Sequence, residues 1–399
     1  MFPFDYIEIK QLHCSTTDNR YLVCYGDNYL EANQVTVDLL RCLAKADNVE
    51  SAVKTYVTDK NNQYPKDKII DYVNRKLIPK FQTTTTASKK KFLWQIELLN
   101  PETVGLITKH LGFMFNNQLM CIIATIAIIT DVLFLYFTPN LFQYSEGSNL
   151  YIVLGLLVCM CVSSFFHELG HASACSFYGV KHGGIGLGLY LTFPVLYTDV
   201  NNAWRLPRTK RCVVNFAGVY FQSVIMILLA VLFYITDLHF LKYILLMMNV
   251  GFVFVLNPFF KFDGYWLASD ILGVPNLRKR ANELVTYFYG RLTHKQVDKP
   301  YMYGLGRMTM IVFCIYALLS TVFMGYFFLY IIPLFIYNFI QTFPADIERM
   351  VMYLSAGVAM PFSLLRNIVS QALFMVLIIV MVVYPLYIRM KSILYARKQ

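Results

Sequence analysis

One segment near the middle of the chain carries residues that could do chemistry: FFHELGHASA at 165–174. His167 and His171 are one helical turn apart, so both imidazoles face the same side of a helix and can share a metal ion. Glu168 follows the first histidine and could take a proton from a metal-bound water. The segment ends an apolar run, where ionisable side chains are costly and usually functional. The pattern predicts a zinc site with Glu168 as its base. The alternative is a polar helix end whose histidines bond backbone carbonyls.

A zinc site that does hydrolysis keeps three protein ligands and one water, so a third ligand must come from elsewhere in the chain. The best candidate is Asp263 in LNPFFKFDGYW, which ends the fourth apolar run. Asp-Gly after Asn257-Pro258 can turn a carboxylate back towards the interior of a helix bundle, although Asp-Gly is also common in simple turns. Three competing candidates lie in loop-like sequence: Asp199, Asp270 and His182.

The composition around these motifs is that of a membrane protein. The 399-residue chain is 57% hydrophobic and only 15% charged, whereas soluble domains carry about 25% charged residues. Disordered, collagen-like and coiled-coil classes are excluded on the same grounds. Each apolar run below meets the requirement of about 20 residues for crossing a bilayer. The runs are 118–137, 150–178, 212–236, 241–260, 308–338 and 369–388. We therefore predict a mainly α-helical, polytopic bundle of about six spans, in which Pro333 tilts, breaks or extends the fifth run.

The loop charges predict the orientation of this bundle. Basic residues outnumber acidic ones by five to one in loop 179–211 and by eight to four in loop 261–307, and loop 138–149 carries only Glu146. Basic loops stay on the cytoplasmic side, so we expect six spans with both termini in the cytoplasm. The net charge of +11 is then a topology signal, and nucleic acid is not expected as a partner because the basic residues are not gathered on one folded face.

The beginning of the chain, residues 1–95, has a soluble composition and differs from the membrane part at 96–399. YLVCYGDNYLEANQ alternates apolar and polar residues around Gly26-Asp27-Asn28, which predicts a β-hairpin. Apolar spacing predicts helices over 34–46, 49–57 and 66–79, the last one stopped by Pro79. We expect a small cytosolic α+β domain, joined to the membrane part by the polar stretch at 83–91.

The glycine-rich segment KHGGIGLGLYL at 181–191 does not follow a strand and open a helix, so a nucleotide-binding loop is rejected. Apolar residues alternate with glycines from Gly183 to Gly188, which suits a thin strand or re-entrant ribbon whose backbone could pair with an extended substrate. A flexible surface loop is the alternative. Two polar residues inside apolar runs, Asp131 and Asn249, are assigned no catalytic role.

At its motifs the chain resembles the site-2-protease family of intramembrane zinc metalloproteases, over residues 150–285. The matching patterns are HELGH, N-P-x-x-x-x-D-G and NFAGVYFQ at 215–222, in which Val219 replaces the family's proline and Gln222 its usual asparagine. These departures, with FPVLYTDVNNAWRLP at 193–207, look like a bacterial branch known as peptide zinc metalloproteases. The resemblance implies zinc as the cofactor and a role for each matching residue. The implied ligands are His167, His171 and Asp263, with Glu168 as catalytic base and Asn257 near the scissile carbonyl.

Residues 18–80 resemble the winged-helix domain of ribosomal peptide modification systems, which captures leader peptides by strand addition. A scaffold domain with no peptide role is the alternative. Together the resemblances imply a zinc endopeptidase in a bacterial cytoplasmic membrane. It would cleave a membrane-associated or ribosomally synthesised, bacteriocin-like peptide during maturation or export, with a peptide exporter as a further partner. The alternative function is a non-catalytic peptide-binding or export partner that retains a structural zinc site.

Overall fold

The computed structural model describes the chain from residue 7 to residue 390 with internal gaps. The gaps are 17–18, 27, 47, 61–64, 80, 82–93, 140, 142–149, 191–192, 296, 298, 385–386 and 388–389. The chain divides into two compact units. The first comprises Met1–Lys90, Glu97–Gly186 and Leu196–Ile315, and the second comprises Lys91–Ile96, Leu187–Val195 and Tyr316–Gln399.

The N-terminal domain begins with an antiparallel sheet in the order β1-β2-β3. Its strands are β1 (Glu8–Leu12), β2 (Arg20–Tyr25) and β3 (Asn28–Asn33). Tyr25 pairs with Asn28 across the turn, and Gly26 in that turn has a φ of 56°, a left-handed conformation that glycine adopts without strain. The predicted hairpin is confirmed, because the turn chemistry and the alternation of β2 and β3 agree.

Three helices follow the sheet, as the apolar spacing predicts: α1 (Gln34–Lys45), α2 (Val49–Asp59) and α3 (Lys66–Tyr72). Asn33 and Asn48 cap the first two helices, because their side chains accept hydrogen bonds from backbone N–H groups of the first turn. A π-helical turn at Val73–Leu77 continues α3. The buried faces of the helices pack on one face of the sheet, around Val23 and Ala32. The hairpin and the helices are those expected, β1 was not predicted, and the winged-helix identity remains a prediction.

A second three-stranded sheet has the order β4-β5-β6. Its strands are β4 (Gln95–Leu99), β5 (Ile185–Tyr190) and β6 (Phe193–Thr198). The glycine-rich segment is therefore a strand, as one of the two interpretations expects. Its predicted free backbone is wrong, because β5 is the central strand and is hydrogen-bonded on both sides. The position of Gly186 leaves no room for a side chain, since a Cβ there would lie 2.7 Å from the ring of Tyr197.

Most of the remaining described chain is helical, and each of the six predicted apolar runs lies largely in a helix. The run at 241–260 ends in a turn after Val255, and residues 385–386 and 388 of the last run lie outside the described residues. The helices are α4 (Pro101–Thr108), α5 (Asn117–Phe137), α6 (Leu150–Phe177), α7 (Arg208–Thr236), α8 (His239–Val255), α9 (Asp263–Leu272), α10 (Leu277–Leu292), α11 (Arg307–Tyr326), α12 (Ile332–Ser355) and α13 (Phe362–Ile378). Short 3₁₀ turns lie at Gly112–Phe115, Asn201–Arg205 and Tyr301–Gly304.

Four of the described helices are long and apolar enough to cross a membrane. They are Asn117–Phe137, Leu154–Phe177, Arg208–Thr236 and the continuous stretch Arg307–Ser355. The apolar helices Phe240–Val255 and Phe362–Ile378 are shorter. The protein thus has the helices of a membrane protein, while the six-span count and the cytoplasmic termini remain predictions.

The helix that contains Pro333 is not broken. A π-helical turn at Phe327–Ile331 joins α11 to α12, and Pro333 lies in the first turn of α12. A proline ring collides with the carbonyl four residues earlier in a regular α-helix, and a π-turn widens the helix at that point. The wider turn therefore lets the helix continue past the proline.

Candidate metal centre

The structure brings His167, His171 and Asp263 together around one point. His167 Nε2 lies 2.8 Å from Asp263 Oδ2, and His171 Nε2 lies 3.2 Å from the same oxygen. The two Nε2 atoms are 3.1 Å apart. Zinc bonds of about 2.0–2.2 Å in tetrahedral geometry place ligand atoms roughly 3.3–3.5 Å apart. The triangle is therefore close to the size that a tetrahedral ion requires, and in the described part of the chain no further histidine, cysteine or acidic side chain joins it.

The far side of each imidazole is held by an acceptor. His171 Nδ1 lies 2.7 Å from the carbonyl oxygen of Val214, and His167 Nδ1 lies 3.0 Å from Gln222 Oε1. A carbonyl oxygen can only accept, so each Nδ1 carries the hydrogen and each Nε2 turns a lone pair towards the triangle. Two lone pairs and a carboxylate that face one another are stabilised by a cation. This is the arrangement by which proteins orient metal-binding histidines, and the three residues fit a zinc ion.

Asp263 reaches the triangle because the chain doubles back between α8 and α9. It is the first residue of α9. The next residue must be glycine, since a Cβ at Gly264 would lie 2.1 Å from the carbonyl oxygen of Leu256. Asn257 Oδ1 accepts a hydrogen bond from the Phe259 backbone, at 2.8 Å, and stabilises the start of this turn. The structure thus gives Asn257 a turn-forming contact, while its contact with a substrate carbonyl remains a prediction.

The three side chains are screened from solvent to different degrees. The His171 side chain is 8% exposed, that of His167 is 12% exposed and that of Asp263 is 26% exposed. Burial opposes ionisation of Asp263, but the rings of His171 and His167 outweigh it when they carry a proton on Nε2, and they then hold the pKa of this carboxyl below its usual range. A metal ion bound in place of those protons acts in the same direction. Asp263 is therefore a carboxylate at neutral pH, the form that binds a metal ion.

The close approach of α6 and α7 closes the site from behind. A Cβ at Gly218 would lie 2.5 Å from Cε1 of His167 and 2.6 Å from Nε2 of His171. On the other helix, a Cβ at Gly170 would lie 2.3 Å from the carbonyl oxygen of Ala217. Both positions need glycine because the neighbouring atoms already occupy the space. The imidazoles therefore rest directly against the backbone of α7.

The segment NFAGVYFQ on α7 supports the centre at successive turns. Asn215 Nδ2 donates to Asp270 Oδ2 at 2.8 Å, Gly218 makes room for the imidazoles, and Gln222 accepts from the first histidine. The sequence motif marks this segment but assigns no role to Gly218 or Gln222. Their spacing of three and four residues places them on one helix face, which is the signal that could have found them.

Glu168 lies beside the triangle without joining it. It follows His167 on α6 and is within electrostatic range of His167, His171 and Asp263. Adjacent residues on an α-helix project about 100° apart because the helix has 3.6 residues per turn. Glu168 therefore projects from a different side of α6 than the two histidines do.

Two of the competing candidates for the third ligand have other partners near the second sheet. Asp199 Oδ1 accepts from the backbone N–H of Asn201 at 3.1 Å. His182 Nδ1 lies 2.7 Å from the carbonyl oxygen of Gly183. Neither residue lies with His167 and His171 in the cluster of described residues that could hold a metal ion.

The third competitor, Asp270, lies in the same helix as Asp263 but is an ion-pair partner. Its Oδ1 lies 2.6 Å from Arg211 Nη2, and both side chains are 7% exposed. Among the described residues, His167, His171 and Asp263 form the cluster that could hold a metal ion. Of the four candidates, the structure thus brings only Asp263 to the histidines.

Comparison with known proteins gives no match: no family model matches the sequence, and no curated protein or solved structure matches it either. The interpretation of the centre therefore depends on the geometry and chemistry of the residues described above.

Proposed function

We propose that this protein is a membrane-embedded, zinc-dependent endopeptidase. The observation that carries the proposal is the triangle formed by His167 Nε2, His171 Nε2 and Asp263 Oδ2, whose sides measure 2.8, 3.1 and 3.2 Å. Three ligands with one open position are the arrangement of catalytic zinc sites, whereas structural zinc sites are closed by four protein ligands. Among the residues that the structure describes, no fourth histidine, cysteine or acidic side chain joins the triad, and this favours a hydrolase over the non-catalytic alternative.

The residues of the chain divide the work of peptide hydrolysis. Zinc, when bound by the triad, supplies Lewis acidity towards a peptide carbonyl and a water molecule. Glu168 takes the proton of the attacking water and returns it to the leaving amine. Gln222 and the Val214 carbonyl hold the imidazoles by their Nδ1 hydrogens, so that both rings keep their orientation during turnover.

The position of the centre supports a membrane-associated peptide as the substrate. Both histidines lie on the stretch Leu154–Phe177, which is long and apolar enough to cross a membrane. A ribosomally synthesised peptide, cleaved during maturation or export, is the substrate class that the resemblance of the N-terminal domain supports. A peptide exporter is the partner that such a process would require.

The metal assignment is tested by elemental analysis of purified variants. The double substitution His167→Ala and His171→Ala should remove stoichiometric zinc, while Glu168→Gln should retain it because no ligand is lost. Exchange of an exposed acid on α4, Glu102→Gln, serves as the matched control. Zinc that persists at one ion per chain in the double-histidine variant would contradict the metal assignment.

The protease assignment needs a substrate, which the base variant can reveal. Membranes of cells that produce Glu168→Gln in place of the native protein should accumulate uncleaved peptides, identified by mass spectrometry. Cleavage of those peptides by the purified native protein should be about 10²–10⁴-fold faster than by the Glu168→Gln variant. Equal rates would exclude Glu168 as the base, and a native protein that cuts none of the accumulated peptides would favour the non-catalytic alternative.

A further inference from the structure

The second face of the N-terminal sheet is covered by the membrane part of the same compact unit. Leu12, Leu22 and Cys24 are 6%, 4% and 2% exposed. They form an apolar cluster with Trp204 and Tyr29. Side chains of the opposite face pack against the helices of the N-terminal domain. The sheet therefore lies between its own helices and the loop that contains Trp204, and it is not a freely tethered module.

Polar contacts surround this apolar cluster. Arg280 Nη2 lies 3.2 Å from Glu31 Oε2, and the two side chains are only 14% and 15% exposed. The Arg280 guanidinium also lies 4.2 Å from the ring centroid of Tyr301. Tyr29 donates to Asn202 Oδ1 at 2.8 Å. Such partly buried contacts specify one orientation of the sheet, in contrast to exposed ion pairs, which are worth little.

The N-terminal domain also contacts the C-terminal end of α9. The backbone N–H of Ser15 donates to the carbonyl oxygen of Gly273 at 2.9 Å, and Arg208 Nη1 donates to Ser15 Oγ at 2.7 Å. A Cβ at Gly273 would lie 2.2 Å from Arg208 Nη1 and 2.4 Å from Ser15 Oγ. The N-terminal domain thus bonds directly to Gly273, the residue at the C-terminal end of α9.

Trp204 links the apolar cluster to the middle of α9. Its ring meets that of Trp266 edge-on, with centroids 6.1 Å apart. Trp266 is three residues beyond Asp263, about one helical turn. The Arg211 guanidinium lies 5.1 Å from the centroid of Trp204, and the same arginine pairs with Asp270 on α9. A continuous set of packed side chains therefore joins the N-terminal sheet to the helix that begins with Asp263.

We propose that the N-terminal sheet, by docking on the surface formed by Asn202, Trp204, Gly273 and Arg280, positions α9. Through α9 it would position the third metal ligand, Asp263. The inference rests on the proposed function, because it takes Asp263 as a ligand. The ten-residue α9 follows an irregular loop, and helices this short depend on tertiary contacts.

The histidines lie on a 28-residue helix and are held directly by Val214 and Gln222 of α7. The helix α9 is held by α7 through Asp270 and by the N-terminal domain through Ser15. Within the described part of the chain, the Asp263 side chain itself makes no hydrogen bond outside the triangle. Asp263 is therefore the ligand whose placement depends on the docked domain.

This coupling makes the N-terminal domain a regulator of the metal centre. Any ligand that binds the domain and loosens the contact with Trp204 would weaken the affinity for zinc. By thermodynamic reciprocity, zinc would weaken the binding of that ligand by the same factor. Trp204 and Asp270 act here as positioning residues, since neither belongs to the metal triangle.

The test is a double-mutant cycle on zinc affinity in the full-length protein, measured by competition with a chelator. Leu22→Glu places a charge in the apolar cluster, and Arg280→Ala removes a partner from the opposite side of the contact. Each should weaken zinc binding about 10–100-fold, the range expected when a ligand loses its support. In the Asp263→Ala background, neither substitution should weaken the remaining affinity further. Val35→Glu, at a residue that is 45% exposed on the same domain, is the matched control and should have no effect.

The outcomes separate the two proposals. If the docking variants bind zinc as the native protein does, while the double-histidine variant has lost it, the coupling is wrong and the metal site stands. If they weaken zinc binding equally with and without Asp263, the effect is general destabilisation and the coupling is again wrong. If the double-histidine variant keeps its zinc, the proposed metal site itself fails. Resistance of the N-terminal domain to limited proteolysis in the Leu22→Glu variant would show that the domain is still folded, so that a loss of zinc affinity cannot be assigned to its unfolding.

Discussion

Two pairs of packed helices in this protein differ in the residues that lie between them. In the α6–α7 pair, small residues allow the backbones to touch: a Cβ at Gly170 would lie 2.3 Å from the Ala217 carbonyl oxygen. Two groups of α7, the Gln222 side chain and the Val214 backbone carbonyl, bond to the imidazoles of the proposed metal centre. In the α12–α13 pair, neither helix contains a glycine, and large side chains fill the space between the axes.

The α12–α13 pair is held by aromatic and amide contacts. The rings of Phe335 and Phe374 lie 4.4 Å apart between centroids, at 71°. Gln371 Nε2 donates to Asp346 Oδ2 at 3.3 Å, and Thr342 Oγ1 donates to Gln371 Oε1 at 3.3 Å. These contacts join two apolar helices, and in the described residues they form no cluster of side chains that could bind a metal ion. The pair is joined by ordinary side-chain packing, to which polar side chains between apolar helices add modest stability.

The comparison teaches that close helix approach has different purposes in the two regions. Small residues generally let membrane helices pack tightly, but at Gly218 the space is taken by imidazoles and not by another backbone. Packing of α6 on α7 therefore fixes the positions of the imidazoles at the proposed centre, whereas packing of α12 on α13 joins two helices. Substitutions in the two pairs should separate these effects.

The largest effect is expected from Gly218→Ala. The added methyl group would lie 2.5–2.6 Å from atoms of both imidazoles, so the rings must leave the positions at which their Nε2 atoms meet Asp263. Overpacking alone costs about 1–3 kcal/mol, and here it displaces two ligands at once. We therefore expect zinc affinity to fall further than about 10–100-fold, the fall caused by loss of one supporting hydrogen bond. Chelator competition with the purified protein measures this fall.

The matched control for Gly218→Ala is Gly251→Ala on α8, where an added Cβ meets no atom within 4 Å. That variant should keep its zinc and its stability. Native zinc affinity in Gly218→Ala would show that the imidazoles can move aside without loss of the site, and the proposed contrast between the two helix pairs would be wrong.

The sequence predicted those parts of the site that depend on local patterns. His167 and His171 share a helix face by their spacing alone, and the turn at Asp263-Gly264 follows from residues next to it in the chain. The hairpin and helices of the N-terminal domain are equally local. In each case the pattern and the structure depend on neighbours within a few residues, so a single sequence was sufficient.

The contacts that the sequence did not predict are distant along the chain. Gln222 supports His167 from 55 positions away, and Arg280 meets Glu31 from 249 positions away. The central place of β5 depends on β4, which precedes it by about 90 residues and lies next to a polar linker. Periodicity shows that a strand forms but not which strands flank it, which is why the expectation of a free backbone was wrong.

An intermediate effect is expected from Gln222→Leu. This substitution removes the acceptor for His167 Nδ1 and leaves Ser163 Oγ without the amide that now donates to it at 2.9 Å. Loss of such support typically lowers metal affinity about 10–100-fold. A chelator competition assay should show this loss, while Gln222→Glu should bind zinc at least as well as the native protein because a carboxylate is a stronger acceptor. Equal weakening by both variants would mean that Gln222 contributes only packing.

The smallest effect is expected from Gln371→Leu in the α12–α13 pair. The substitution removes the bonds to Asp346 and Thr342, and side-chain hydrogen bonds between membrane helices are worth about 0.6 kcal/mol on average and about 1.7 kcal/mol at most. Unfolding in mixed detergent should show a loss within that range. Zinc affinity should be unchanged, since neither helix contributes to the triangle of ligands. A loss of zinc as large as that of Gln222→Leu would show that the α12–α13 pair also supports the metal centre, and the distinction between a chemical and a purely stabilising helix pair would not hold.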